Sequence, residues 1–445
     1  MNSTLDAGGY PVNPTLRRAL FIALLAIVAS ACSREGLASV EREKLFTLTY
    51  GRFENEIDLF GLDGSQGGPD TQLFMKDGMF YVANPGSQKV LQLTSFGDLL
   101  SVYYNPDTNP VPSFARPPEG AEDSVQATSG AQGDAAAGGT QSGQGSQDSA
   151  AGTATRKAVP YPFSKPALVT VDSTKRLFVV DRVPDDRAEY DNNEQVALRD
   201  VVLRFASDGR FVDYLGQEGT GGTPFPPISN VYSTASNELV VVSRTQTGAR
   251  AFWFDADGNL LYRVPFSFRE LPSPYAKGSV SMPSLERIVP DYQARRLYLK
   301  IDYYVENIDP ETKANAGLSF DRSCVYPLEL ESGTYGEAID LPAYEGVDAD
   351  KLGTMTFRKP YELLGITSTG WAFLITPNEG GYALELMDLR ARRIQKRILA
   401  VREDELAYNA LMLSNDGIIS ALLATPYEAS VVWWRTDSLI GEIRR

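Results

Sequence analysis

One phrase recurs along this chain and limits what it can fold into: an apolar strand, a polar turn, a second apolar strand, then two further strands around a Gly turn. The first half of the phrase reads QLFMKDGMFYVAN from Gln72, ALVTVDSTKRLFVVD from Ala167 and VYSTASNELVVVS from Val231. The second half follows each time, as KVLQLTSFGDLLSVYY from Lys89, VVLRFASDGRFVDYL from Val201 and AFWFDADGNLLYRV from Ala251. Four short strands repeated every ~40 to 50 residues are the mark of β-propeller blades, because a single blade cannot bury both of its faces.

Three more diverged copies follow, RIVPDYQARRLYLKID with CVYPLELESGTYGEAIDL, ELLGITSTGWAFLIT with YALELMDLRARRIQKRILA, and ALMLSNDGIISALLA with SVVWWRTDSLIGEI. The expectation is an all-β, six-bladed propeller of four-stranded antiparallel blades, with inner strands near Gln72, Ala167, Asn230, Glu286, Glu362 and Asn409. The stretch LFTLTYGRFENEIDLF from Leu45 is expected to pair with the last blade and close the ring, either as its outermost strand or as an extra one.

The ends of the chain and one internal stretch stand apart from the repeat. Arg17 and Arg18 precede an apolar run from Ala19 to Ala31, which closes on Ala29, Ser30 and Ala31 before Cys32. A basic segment, a short apolar segment and small residues before a cut site form a secretory signal. The run is shorter than the ~20 residues a spanning helix needs. The cysteine after the small residues resembles a bacterial lipobox, in which Cys32 is acylated and becomes the first mature residue. The other reading is an ordinary signal peptide with a chance cysteine. The expected division is a lipoprotein-type signal over 1–31, a tether over 32–44, and the propeller over 45–445. An insertion at about 107–158, rich between Pro117 and Thr155 in Gly, Ala, Ser, Gln and Thr, lacks the apolar content to offset ordering entropy and is expected to be disordered.

With Cys32 acylated, Cys324 has no intramolecular partner among the two cysteines, and a buried free thiol is expected there. Cleavage before Cys32 removes two Arg and one Asp and leaves a net charge of −16, which argues against nucleic acid as a partner. The expected location is a bacterial membrane, periplasmic or outer-surface, with the protein lipid-anchored and monomeric.

Strand parity then distinguishes the two faces of the disc. Connections from first to second and from third to fourth strands share one face, and the turns KDG, DSTK, SDG, DADG and STG all fall there. The long insertions, Tyr104 to Pro166, Arg182 to Leu198, Val264 to Leu285, Tyr303 to Ser323 and Pro342 to Pro360, fall on the other. Variable loops over a rigid scaffold are where partners bind, so this crowded face is the expected binding face, although loops that tolerate length also drift.

At VVLRFASDGRFVDYLGQEG and TVDSTKRLFVVDRV the wording resembles NHL repeats, and with the lipobox the chain is similar to NHL-like lipoproteins of spirochaetes. The Asp that ends the second strand in that family maps to Asp181 and Asp302, with Asn84 and Ser243 in its place in blades one and three. Asn84, Asp181, Arg182, Arg244, Asp302, Tyr303 and Tyr304 are the residues expected to meet a protein or small-molecule partner; Tyr303 and Tyr304, which open a long insertion, are expected to be exposed.

Catalysis is constrained by composition. The chain contains no histidine, which removes Ser-His-Asp and Cys-His chemistry and histidine-ligated metals, including the zinc lyase activity found in the NHL family. No cofactor is expected. The alternative is a calcium-dependent hydrolase: similarity to six-bladed lactonases implies channel carboxylates and amides as hard oxygen ligands, with Asn230, Glu286, Glu362 and Asn409 as candidates. These residues also suit strand starts facing channel water. A weaker alternative is an envelope assembly scaffold. Asp255, Asp257 and Asn259 are spaced like the start of a calcium loop, but Leu260 and Phe266 stand where Gly and Glu are required, and an Asp257-Gly258 hairpin turn explains the run. The acidic run Asp185, Asp186, Glu189 and Asp191 reads as a solvated loop, or as a site for a cation or basic partner. Trp253, Trp371, Trp433 and Trp434 sit in strands, where alternation buries most of them; being adjacent, Trp433 and Trp434 face opposite sides.

Overall fold

The computed structural model describes residues 38–61, 70–116, 156–276, 281–308, 311, 314–350, 353–401 and 406–442. Six antiparallel sheets of at least four strands follow one another along the chain and form the blades of a propeller. Their inner strands are Gln72–Lys76, Leu168–Val171, Ile228–Ser233, Met282–Pro290, Glu362–Ile366 and Tyr408–Leu413, at the expected places.

Alternation along each strand explains why a ring forms. In Leu239–Arg244, Val240 and Val242 pack with residues of blade four, while Val241 packs with residues of blade two. The same division in every blade produces six apolar clusters among the described residues, one at each junction between neighbours. A sheet apolar on both faces needs a sheet against each, and a closed ring supplies both.

Closure comes from the N-terminal segment. Arg42–Leu48 pairs antiparallel with Ala429–Trp434 and is the outermost strand of blade six, which decides between the two placements open to it. Phe46, on this strand, packs against the ring of Phe80 at 5.7 Å and lies over Gly97, where a Cβ would come within 2.8 Å of Phe46. Ser39–Val40 runs parallel to the outer strand of blade five at Ile398–Leu399. The tether expected over 32–44 is therefore strand from Ser39 to Val40 and again from Arg42; Cys32 itself lies outside the described residues.

The insertion differs from expectation at both margins. Ser113–Ala115 forms a 3-10 turn, and Lys157–Pro160 adds a fifth strand to blade one, parallel to Ser101–Tyr104. Val159 and Tyr161 pack into the cluster between blades one and two, so this strand covers an otherwise open sheet edge. Arg156 lies 5.9 Å from the Phe114 ring centroid, which brings the two margins together. Residues 117–155, the Gly-rich part, lie outside the described residues.

The smooth face is built from tight turns. Asp77 and Gly78 both have positive φ (51° and 74°), as a two-residue hairpin turn between twisted strands requires. At Asp255 the carboxylate accepts hydrogen bonds from the Asp257 and Asn259 amides and the Asn259 side chain, so the apparent calcium loop is a self-capped hairpin.

The opposite face carries the insertions, and three of them are β-hairpins rather than irregular loops. They are Glu189–Asp191 with Val196–Leu198, the extension of Arg296–Ile308 with Asn315–Glu329, and Ala343–Asp350 with Gly353–Pro360. This face also has short turns: blades one, three, five and six cross from second to third strand in a few residues. The lengthened β-structure on this face thus belongs to blades two and four and to the connection into blade five, beside the long connections out of blades one and three.

Candidate functional site

The strand-end positions singled out from the sequence are mostly clasps. Asn84 is fully buried; its Oδ1 accepts from the amides of Asp58 and Ser87 at 2.8 and 3.2 Å, and its Nδ2 donates to the Asp58 carbonyl and Thr71 Oγ1, both at 2.8 Å. Asp181, also buried, accepts from the Ser164 and Lys165 amides at 3.1 and 2.6 Å. Each fastens the chain entering its blade to the end of the second strand, which is why short polar acceptors stand there. Burial pushes the Asp181 carboxyl up to about 6, against the pull of the amide hydrogen bonds.

Asp302 accepts from Lys300 Nζ at 2.8 Å and from the Ser323 hydroxyl. Lys300 is buried and also donates to the Tyr361 carbonyl of blade five at 2.7 Å, with Glu286 3.6 Å away. A buried lysine between two carboxylates joins two blades and leaves no ion unpaired. Tyr303, expected to be exposed, is fully buried: its hydroxyl donates to the Pro272 carbonyl at 2.5 Å within the cluster between blades three and four. The strand continues into the insertion and its pairing shifts register only after Tyr303, so Tyr303 keeps the inward parity of the blade strand. Tyr304, on the other side, is partly exposed and packs edge-on against Phe320 at 6.0 Å.

Arg182 and Arg244 remain partly open to solvent on the crowded face. Arg182 lies 3.5 Å from Asp200, whose other oxygen accepts from the Ile228 amide at 2.8 Å. Arg244 donates to the Glu286 and Leu285 carbonyls, so it bridges blades three and four while its guanidinium stacks on Phe268 at 5.3 Å. The acidic run of blade two is split: Asp185 and Asp186 lie in a 3-10 turn, whereas Glu189 and Asp191 are on the hairpin, whose turn Asp191 caps and whose Glu194 pairs with Arg250 of blade three.

All four metal candidates lie on inner strands, Glu362 and Asn409 at the crowded-face ends and Asn230 and Glu286 nearer the middle. Glu286 occupies a bulge, and its carboxylate accepts from the Leu363 amide at 3.4 Å and faces Lys300 and Arg287. Burial raises its pKa against the pull of those two cations. Asn230 and Asn409 line the central cavity. Among the described residues no group of three or more His, Cys, Asp or Glu side chains is arranged to hold a metal ion.

Cys324 is a buried free thiol, and burial pushes it up to about 12, with Asp340 adding to the rise. Trp253, Trp371 and Trp434 are buried, whereas Trp433 is partly exposed and donates to Glu43 at 2.7 Å.

Two features were not singled out from the sequence. The first is apolar surface on the crowded face: Ile308, Leu318, Val347 and Phe357 on the hairpin of blade four and the connection to blade five, and Met282 at the start of the inner strand of blade four, are 42 to 65% exposed. Lengthened strand pairs with apolar residues beyond the blade were the available signal. The second is most of the lining of the expected central channel, an axial cavity of about 670 Å³ that runs from the crowded mouth at Asp70, Lys165 and Arg182 to the smooth face at Lys76 and Asp416. A ring of inner strands implies such a channel but not its lining.

No protein-family model matches the chain. No curated protein matches it in sequence. Solved structures similar to it include a PL25 ulvan lyase bound to -[GlcA(1-4)Rha3S]-, with 10% identity, 88% of this chain and 83% of that chain covered, and a TM-score of 0.36. The β-propeller domain of the Trilobed protease from Pyrococcus furiosus is similar at 8% identity, over 82% of this chain and 95% of that chain, with a TM-score of 0.34.

Proposed function

We propose that this chain is a lipid-anchored, NHL-like propeller of a bacterial cell envelope that binds a protein partner through its crowded face, as a monomer and without catalysis or a cofactor. The observation that carries the reading is the apolar surface that the hairpins of blades four and five raise above that face. Exposed apolar residues grouped on projecting elements favour association, whereas the same residues scattered singly need no explanation. The hairpins are regular β-structure tied to the blades by continuous pairing, so they present this surface with little ordering cost on binding. Conversion of most strand-end polar residues into buried clasps leaves the hairpins, Arg182 and Arg244 as the accessible groups.

The test is crosslinking in intact cells with partner identification, comparing the wild-type chain with one in which Leu318 and Phe357 are both replaced by Ser. Loss of at least tenfold of the crosslinked product from the variant is expected. A partner recovered equally by both proteins places binding elsewhere and overturns the choice of surface.

A further inference from the structure

We infer that the axial channel is a binding site for a small organic anion, one with a carboxylate or sulfonate group on an apolar body, held at its waist by Arg287. This goes beyond the crowded-face reading and does not depend on it.

The charged groups at the two ends of the channel are largely satisfied within the protein. At the crowded mouth Lys165 pairs with Asp70 at 2.5 Å, and Arg182 faces Asp200 at 3.5 Å. Near the smooth face Lys76 donates to the Val171 carbonyl at 3.0 Å, and Lys175 neutralises Asp77. The waist differs. Phe74, Asn230, Leu364 and Ala410 stand near the middle of their inner strands and line the cavity, and Arg287 is the cation among them. Tyr232 lines it one step lower, its hydroxyl already given to the Ile288 carbonyl at 3.2 Å.

Arg287 makes one hydrogen bond among the described residues, from Nη1 to the Leu364 carbonyl at 3.0 Å. That bond fixes the guanidinium across the junction of blades four and five. Its nearest carboxylate, Glu286, lies 3.8 Å from Nε and is shared with Lys300. The side chain keeps 32% of its surface exposed, and among the described residues no hydrogen-bond acceptor stands against Nη2. A guanidinium held in place, with donors to spare and the apolar side chains of Phe74, Leu364 and Ala410 at the same level of an otherwise largely polar cavity, can pair two N–H groups with two oxygens of a carboxylate or sulfonate while those side chains meet its apolar body. The cavity volume lies within the range of small-molecule sites.

The experiment titrates the purified full propeller with 1-anilinonaphthalene-8-sulfonate, an aromatic sulfonate whose fluorescence rises in an apolar site. Four variants are compared, Arg287→Met, Arg287→Lys, Ala410→Trp and Phe357→Ser, each checked for the wild-type circular dichroism spectrum. Saturable binding is expected, weakened at least tenfold by Arg287→Met and by Ala410→Trp, which adds bulk at the waist and leaves the arginine in the chain. Arg287→Lys, which keeps the charge but not the paired donors, is expected to bind more weakly than wild type and more tightly than Arg287→Met, and Phe357→Ser to leave binding unchanged. Binding that survives Arg287→Met and Ala410→Trp, or that follows Phe357→Ser instead, overturns the channel site. If Arg287→Met does not fold, Ala410→Trp alone decides. A partner lost through the hairpin variants leaves this result untouched, so the two readings fail separately.

Discussion

At the scale of single residues, polar side chains inside the blades act as clasps whose charge is set by burial. Asp181 is the clearest case, a carboxyl 5% exposed and pushed up to about 6 while accepting backbone amides. Between pH 4 and 6 it is protonated in the folded chain and ionised in the unfolded one, so unfolding releases a proton. Stability contributed by this group is therefore full below about pH 4 and is lost as the pH rises through 6. A gap of about two pKa units corresponds to about 3 kcal/mol. Asp181→Asn keeps an Oδ1 that can accept from the Ser164 and Lys165 amides, and it removes the titration. Urea unfolding at pH 4, 5, 6 and 7 should show wild-type stability falling across this window relative to the variant. Parallel curves for the two proteins would show that Asp181 does not titrate there. Lys89 shows the same physics with opposite sign: burial pulls its ammonium down to about 7 although it donates to the Phe53 carbonyl at 2.7 Å. Neither residue's burial is legible in the sequence, since Lys in KVLQL has the look of a solvent-facing position.

At the scale of elements, the strand that closes the ring holds blades six and one together. Arg42–Leu48 places Phe46 and Leu48 in the cluster shared by those blades, while Lys44 pairs with Glu428 at its outer side. Phe46→Ala removes a ring in edge contact with Phe80 and leaves a cavity over Gly97, where φ is +88° and the backbone approaches closely. A cost of about 3 to 5 kcal/mol is expected for a buried Phe→Ala change, read as a lowered urea midpoint. A cost under about 1 kcal/mol would show that the strand's backbone pairing closes the ring without its core contacts. Strand existence was legible throughout, because period-2 alternation with turn residues marks it strongly. The hairpins of the crowded face were legible only as insertions. Their residues sit past the last repeat position, and nothing in the local pattern separates a strand that continues from one that ends.

At the scale of the whole molecule, the N-terminal pairing limits how an anchored propeller can stand on a bilayer. The Ala38 carbonyl accepts from the Ile398 amide of blade five at 3.2 Å, and Cys32 stands six positions earlier. Six residues span at most about 21 Å, so acylation of Cys32 would hold the rim of blade five next to the membrane. Ile394 on the outer strand of blade five and Val212 on that of blade two, three blades away around the ring, are each 46% exposed. With Ile394→Cys and Val212→Cys labelled in turn, energy transfer to a bilayer dye should be stronger from position 394. Cys32→Ala should lower both signals. Equal transfer from the two positions would show that the disc does not stand on the rim of blade five.

The repeated strand phrase by itself determined the blades, their number and which connections share a face, because alternation and turn chemistry are local and recur six times. Tertiary structure alone decided what the strand-end residues do. Asn84, Asp181 and Asp302 become clasps only when segments distant in the chain bring amides, hydroxyls or a lysine within hydrogen-bond reach. It also decided that Arg287 stands in an axial cavity with donors to spare, since a channel exists only once six inner strands face one another. Local patterns specify elements; burial, and with it charge and access, belongs to the ring they close.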